Sequence, residues 1–140
     1  MPEFVLNTRG AEQVRRVLDP FTLAYIEAMF FTGIERDDHG DDTERSADLG
    51  LVDLAYETLG RIQEDCATFQ TAYASLLDGA DPSQAGHDFW LTRNGHGAGF
   101  WDRPDGTYPN DPDGSALTTA AHKAGEVDTY IGDDGKVYLS

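Results

Sequence analysis

Cysteine is nearly missing from this chain. Cys66 stands alone, so no internal disulfide can form, and the expected setting is a reducing cytoplasm. Basic residues are scarce as well. Ten Lys and Arg face 26 Asp and Glu, a net charge of −16. That balance argues against direct binding of nucleic acid or anionic membranes. It favours a partner that is basic, cationic or a metal ion. Long apolar runs are absent too. The longest, "FTLAYIEAMFF", is interrupted by Glu27 and falls short of the roughly 18 residues that a membrane span needs. The opening "MPEFVLNTRG" has no basic stretch leading into an apolar core, so no signal peptide is expected. No internal repeat is visible.

What is present suits one domain over residues 1–140. Hydrophobic residues make up 39% and aromatics 11%, enough to build a core at this length. "FVL" at 4–6 is a possible edge strand. "GAEQVRRVLDP" looks helical and stops at Pro20, because proline disfavours helical geometry in the residue before it. Pro20 can open the next helix, "PFTLAYIEAMFFTG", which is apolar on most sides and therefore expected at the centre. Residues 35–48, "ERDDHGDDTERSAD", hold seven acids and no large apolar residue, the composition of a solvated, variable loop.

The clearest periodicity follows. Leu59, Ile62, Cys66, Phe69, Tyr73 and Leu76 form one apolar stripe and predict a long helix over 56–78. Cys66 lies on that stripe and reads as a small buried thiol. Asp81 or Ser83 is expected to cap a helix over 83–93, with Pro82 near its first position. "SALTTAAHKAG" predicts a short helix with Ser115 as cap and Gly125 as stop. "VDTYI", "GDDG" and "KVYL" predict a C-terminal hairpin, which must pack on helices or pair with "FVL" or "GFW".

The densest chemistry lies in "HDFWLTRNGHGAGFWDR", residues 87–103. It holds two of the four histidines and both tryptophans. On an architectural reading, "RNGHG" stops a helix through a left-handed Asn94 or Gly95. The glycines then allow close backbone approach, and "FW" returns to the core. On a functional reading, His87, Asp88, His96 and Asp102 could act as acids, bases or metal ligands, while Arg93 and Asn94 could hold an anionic group. The spacing fits no zinc pattern and marks no nucleophile elbow. "NDPDGS" places Asp111, Asp113 and Gly114 at positions 3, 5 and 6 of an EF-hand loop. That loop would lack its first ligand and its final Glu, so a solvated turn is expected. His39 and His122 read as surface residues. No cofactor and no metal is expected.

The stretch "AGHDFWLTRNGHGAGFWDR", with "GEVDTYIGDDGKVY" downstream and "ETLGRIQEDCATFQ" in the long helix, resembles a functionally uncharacterised family of small acidic proteins from bacteriophages, plasmids and bacterial genomes. The similarity covers roughly residues 20–33 and 56–140. It implies a context, a small accessory protein of a mobile element, and no mechanism. Within that context the charge takes on meaning. A mimic of B-DNA must match about one charge per 1.7 Å of axis. Residues 37–65 hold ten acids against Arg45 and Arg61. The expected contact face is Asp37, Asp38, Asp41, Asp42, Glu44, Asp48, Asp53 and Glu57.

The expected fold is therefore α+β, mostly helical, with a C-terminal β-hairpin packed on the helices. The expected function is a non-enzymatic, DNA-mimic-like inhibitor of a basic, nucleic-acid-handling host defence protein, of the anti-CRISPR or anti-restriction kind. The alternative is a small enzyme or metal-binding protein centred on the His87–His96 motif.

Overall fold

The computed structural model of the chain describes residues 18–32 and 53–140. The strand expected at 4–6, the helix expected before Pro20 (apart from its last residues) and the acidic loop 35–48 lie outside the described residues. Five helices and a hairpin follow in order: α1 Pro20–Phe31, α2 Tyr56–Ala72, α3 Ala74–Leu77, α4 Pro82–Arg93, α5 Ser115–Ala124, β1 Thr129–Ile131 and β2 Val137–Leu139. The fold is α+β and mostly helical, with the C-terminal hairpin packed on the helices.

Helix α1 is the central one, as its all-round apolarity requires. Phe21, Tyr25, Ile26, Ala28 and Met29 are buried, and Glu27 faces solvent. Asp19 caps its start, accepting a hydrogen bond from the Thr22 amide at 2.8 Å, and Pro20 fills the first helical position. Helix α4 packs closely along α1, and Gly86 sets the spacing. A Cβ there would lie 2.7 Å from the Phe21 carbonyl carbon and closer still to its oxygen. Glycine's missing side chain lets the two backbones meet.

Of the stripe predicted for this segment, Leu59, Ile62, Cys66 and Phe69 are buried, and Tyr73 and Leu76 pack partly against the core. The helix is shorter than expected. It breaks at Tyr73, whose φ of −118° and ψ of 27° leave the helical region, and resumes as the single turn α3. Leu76 and Leu77 of that turn both pack partly against the core. The core that results is strongly aromatic. Phe69 stacks on Phe89 with ring centroids 4.0 Å apart, and Tyr25 meets Trp90 edge to face at 5.3 Å.

The hairpin pairs Tyr130 with Tyr138 across an antiparallel register, and Gly135 takes the left-handed turn position with φ 82°. Of the two segments expected to pair with it, "FVL" lies outside the described residues. "GFW" is not a strand. Leu54 instead forms a parallel bridge to Val137, because the chain entering α2 runs alongside β2. Among the described residues, no helix is long and apolar enough to cross a membrane.

Candidate functional site

The 87–103 motif begins on α4 and turns back through a tight corner. Asp81 caps α4 by accepting from the Ser83 amide at 3.0 Å, so of the two expected caps Asp81 is the one used. At the other end the Gly95 amide donates to Thr92 O at 3.2 Å and the His96 amide to Leu91 O at 3.0 Å. That paired bonding is a Schellman closure, and Gly95 supplies its left-handed residue with φ 70°. Gly99 then folds under Thr92, whose hydroxyl accepts from the Phe100 amide at 3.2 Å. Phe100 returns to the core, but Trp101 does not. The residue is 49% exposed, which corrects the expectation that both aromatics turn inward.

The motif's polar residues are drawn into the fold. Asp88 is fully buried. Its carboxylate accepts from the Arg103 guanidinium at 2.5 and 2.9 Å, the Tyr108 hydroxyl at 2.5 Å and the Gln84 amide at 3.2 Å. A buried carboxylate needs that many donors to offset desolvation. The bonds to Asp88 in turn hold Arg103 in its charged form more firmly than usual. Burial, first, and the bond to Asp88 push the Tyr108 hydroxyl well above its ordinary range.

Arg93 is buried as well, at the far end of α4. It donates to Gly125 O at 2.8 Å and Ala124 O at 3.1 Å, two carbonyls at the C-terminus of α5. It also donates to the Tyr25 hydroxyl and to Asp65, each at 3.1 Å, and lies 5.1 Å over the Phe89 ring. A guanidinium at a helix C-terminus satisfies carbonyls that no intrahelical amide reaches. Asn94 donates to Trp90 O at 3.1 Å and accepts from the Val127 amide at 2.9 Å, tying α4 to the segment that enters the hairpin.

The two histidines do not converge. His87 lies in a shallow cleft of about 400 Å³ with Glu27, Asp81, Gln84 and Arg103. His96 lies in a separate cleft of about 230 Å³ with Trp90, Asn94, Glu126 and Asp128. Asp102 is exposed. A third cleft of about 420 Å³ separates α2 from α5 and is lined by Phe69, Phe89, Glu64, Asp65, Arg93 and Lys123. Among the described residues, no group of three His, Cys, Asp or Glu side chains could hold a metal ion.

Asn110, Pro112, Asp113 and Ser115 of the "NDPDGS" turn are exposed as expected, but Asp111 is not. Asp111 is buried, and its carboxylate accepts from the Ala116 and Leu117 amides at 3.3 and 2.8 Å. It caps α5 from outside the helix, so the cap is not Ser115. Gly114 holds the N-cap position with φ 70°, where a Cβ would run into the backbone at Phe100 and Trp101. Asp113 accepts from the Ser115 amide and hydroxyl at 3.0 and 2.8 Å. The carboxylates that resembled calcium ligands are therefore turned toward helix amides. Periodicity alone gave no sign of these partners, although an Asp ahead of a Ser-led helix is a signal for capping.

Of the acids expected to form a contact face, Asp37, Asp38, Asp41, Asp42, Glu44 and Asp48 lie outside the described residues. Asp53 is half-buried and Glu57 exposed. Among the described residues, thirteen Asp and Glu side chains are exposed against two exposed cations, Arg61 and Lys123. These exposed acids include Asp78 and Asp81 before α4 and Asp133 and Asp134 on the hairpin turn.

Compared with known protein families, curated proteins and solved structures, the chain matches none.

Proposed function

We propose that this chain is a non-enzymatic binding protein that presents its acidic surface to a basic, nucleic-acid-handling protein. The observation that carries this reading is the imbalance of exposed charge, thirteen carboxylates to two cations over the described residues. Such a surface draws a basic partner at long range and repels DNA itself. The fate of the motif supports the same reading. Asp88, Arg93 and Asn94, the groups best placed for chemistry, spend their hydrogen bonds on holding helices together.

In this account the protein acts as a decoy, its carboxylates standing where phosphates of a duplex would lie. A defence complex of the host cell, in the setting of a phage or other mobile element, is the kind of target that fits. The test is affinity capture from bacterial lysate, with duplex DNA added as competitor. Basic nucleic-acid-binding proteins should be retained and then displaced by the DNA. Reversing Asp37, Asp38, Asp41 and Asp42 to lysine should abolish capture while leaving the circular dichroism spectrum unchanged. Capture that survives both DNA and charge reversal would contradict the proposal.

A further inference from the structure

We infer that the cleft between α2 and α5 binds a small zwitterion with an apolar body, the chemistry of a free apolar α-amino acid. The inference goes beyond the partner-binding reading above and does not depend on it. The cleft exists because the two helices that wall it make little contact with each other. Helix α2 packs on α1 and α5 packs on α4, and about 420 Å³ is left between them. Ala72 on one wall and Ala120 and Ala124 on the other are too short to close the gap. That volume lies within the roughly 300–1,000 Å³ of ordinary small-molecule pockets, and spaces between helices are a common place for them.

The base of the cleft is firm and carries a buried charge. Phe69 of α2 and Phe89 of α4 are both buried and stack with centroids 4.0 Å apart, which fixes the floor. Arg93 lines the cleft and is only 4% exposed. A guanidinium has five N–H donors. Four of those of Arg93 go to Tyr25, Asp65, Ala124 and Gly125. The fifth has no acceptor among the described residues. A buried donor without a partner carries a desolvation cost that a ligand acceptor relieves.

The two walls carry opposite signs. On α2, Asp65 is engaged by Arg93 at 3.1 Å, and Glu64 beside it is the second carboxylate of that wall. On α5, Lys123 lines the same space. Neither Glu64 nor Lys123 forms an ion pair among the described residues. With Asp65 and Arg93 offsetting each other, the cleft presents one negative and one positive group from opposite walls. It is neutral as a whole, within a chain of net charge −16. A ligand of one sign satisfies one wall and opposes the other. A zwitterion satisfies both. Its ammonium pairs with Glu64, its carboxylate takes Lys123 and the remaining Arg93 N–H, and its apolar body covers the alanines.

The test is a titration of the whole chain with L-phenylalanine and with L-leucine, followed by NMR at the methyl groups of Ala72, Ala120 and Ala124. At least one of the two should shift those resonances saturably. The amino acid that binds is then compared with its decarboxylated and deaminated counterparts. Each should bind about three- to tenfold more weakly, between the worth of an exposed ion pair and that of a hydrogen bond to a charged group. Lys123→Gln should weaken the amino acid and the deaminated ligand and leave the decarboxylated one unchanged. Glu64→Gln should weaken the amino acid and the decarboxylated ligand and leave the deaminated one unchanged. A control, Lys136→Gln, removes a cation from the hairpin turn and should leave all three affinities at wild-type values. No saturable shift with either amino acid, a singly charged counterpart that binds as tightly as its parent, or equal effects of Lys123→Gln and Lys136→Gln would overturn the inference. None of these outcomes bears on capture of a basic protein by the acidic surface, which the lysate experiment tests separately.

Discussion

Gly86 of α4 lies directly against the carbonyl of Phe21 in α1, with no room between them for a methyl group. The contact joins the central helix to the helix that carries the motif. Gly86→Ala must push backbone against backbone, so the loss should reach or exceed the upper end of the roughly 1–3 kcal/mol typical of overpacking. Urea denaturation followed by circular dichroism measures it. A variant as stable as wild type would show that α1 and α4 do not approach this closely.

Asp88 joins α4 to the 103–108 loop through Arg103 and Tyr108. Asp88→Ala strands a guanidinium and a buried phenol, and should cost about 3–5 kcal/mol. Tyr108→Phe removes one bond to a charged group and should cost about 1.5–3 kcal/mol. In a double-mutant cycle the two losses should fall short of additive, since they share one carboxylate. Full additivity would contradict the network.

The fold should weaken in alkali. Burial, as the leading cause in each case, raises the Cys66 thiol and the Tyr25 and Tyr108 hydroxyls above their ordinary values. A group whose pKa is raised by folding contributes stability that is whole below its unfolded pKa and is lost as pH rises. Stability should therefore decline above about pH 8.5 through Cys66, and more steeply above about pH 10 through the tyrosines. Cys66→Ala should abolish the first decline and keep the second. Denaturation midpoints measured from neutral to alkaline pH decide it, and a flat profile would contradict the burial of these groups.

Asp19 gives the opposite limb. Burial alone would raise its carboxyl, but the bonds from Thr22 and Gln70 outweigh it and hold the pKa below the ordinary value. A carboxyl lowered by folding contributes stability present above its unfolded pKa, about 3.9, and lost as pH falls through the folded value. Asp19→Ala should cost about 1 kcal/mol at neutral pH, the usual worth of an N-cap. The difference from wild type should shrink below about pH 4, as the wild-type carboxyl protonates. A gap that stays constant into acid would assign Asp19 no role as a charged cap.

How much of this was legible in the sequence depends on the range of the interaction. Local signals read correctly. The all-round apolarity of α1, the stripe through Leu59, Ile62, Cys66 and Phe69, the Asp81 cap and the Gly95 stop each need only a few neighbouring residues. Long-range partners were out of reach. Nothing near Asp88 announces Tyr108, and nothing near Arg93 announces the carbonyls of Ala124 and Gly125 that it caps. Asp111 read as part of a solvated turn because its sequence neighbours are acids, proline and glycine. Its partners are the amides of a helix five and six residues on. Tyr73 shows what periodicity leaves out. The apolar spacing correctly carried Tyr73 and Leu76 to the core but gave no sign that the helix stops at Ala72 and resumes at Ala74.

The most direct test of the central claim is the salt dependence of partner capture by the wild-type chain. The account predicts retention of basic nucleic-acid-binding proteins at low ionic strength and their steep release as salt rises, because long-range attraction between exposed charges is screened over a Debye length. Capture that does not change with salt, or a captured set with no basic members, would contradict it.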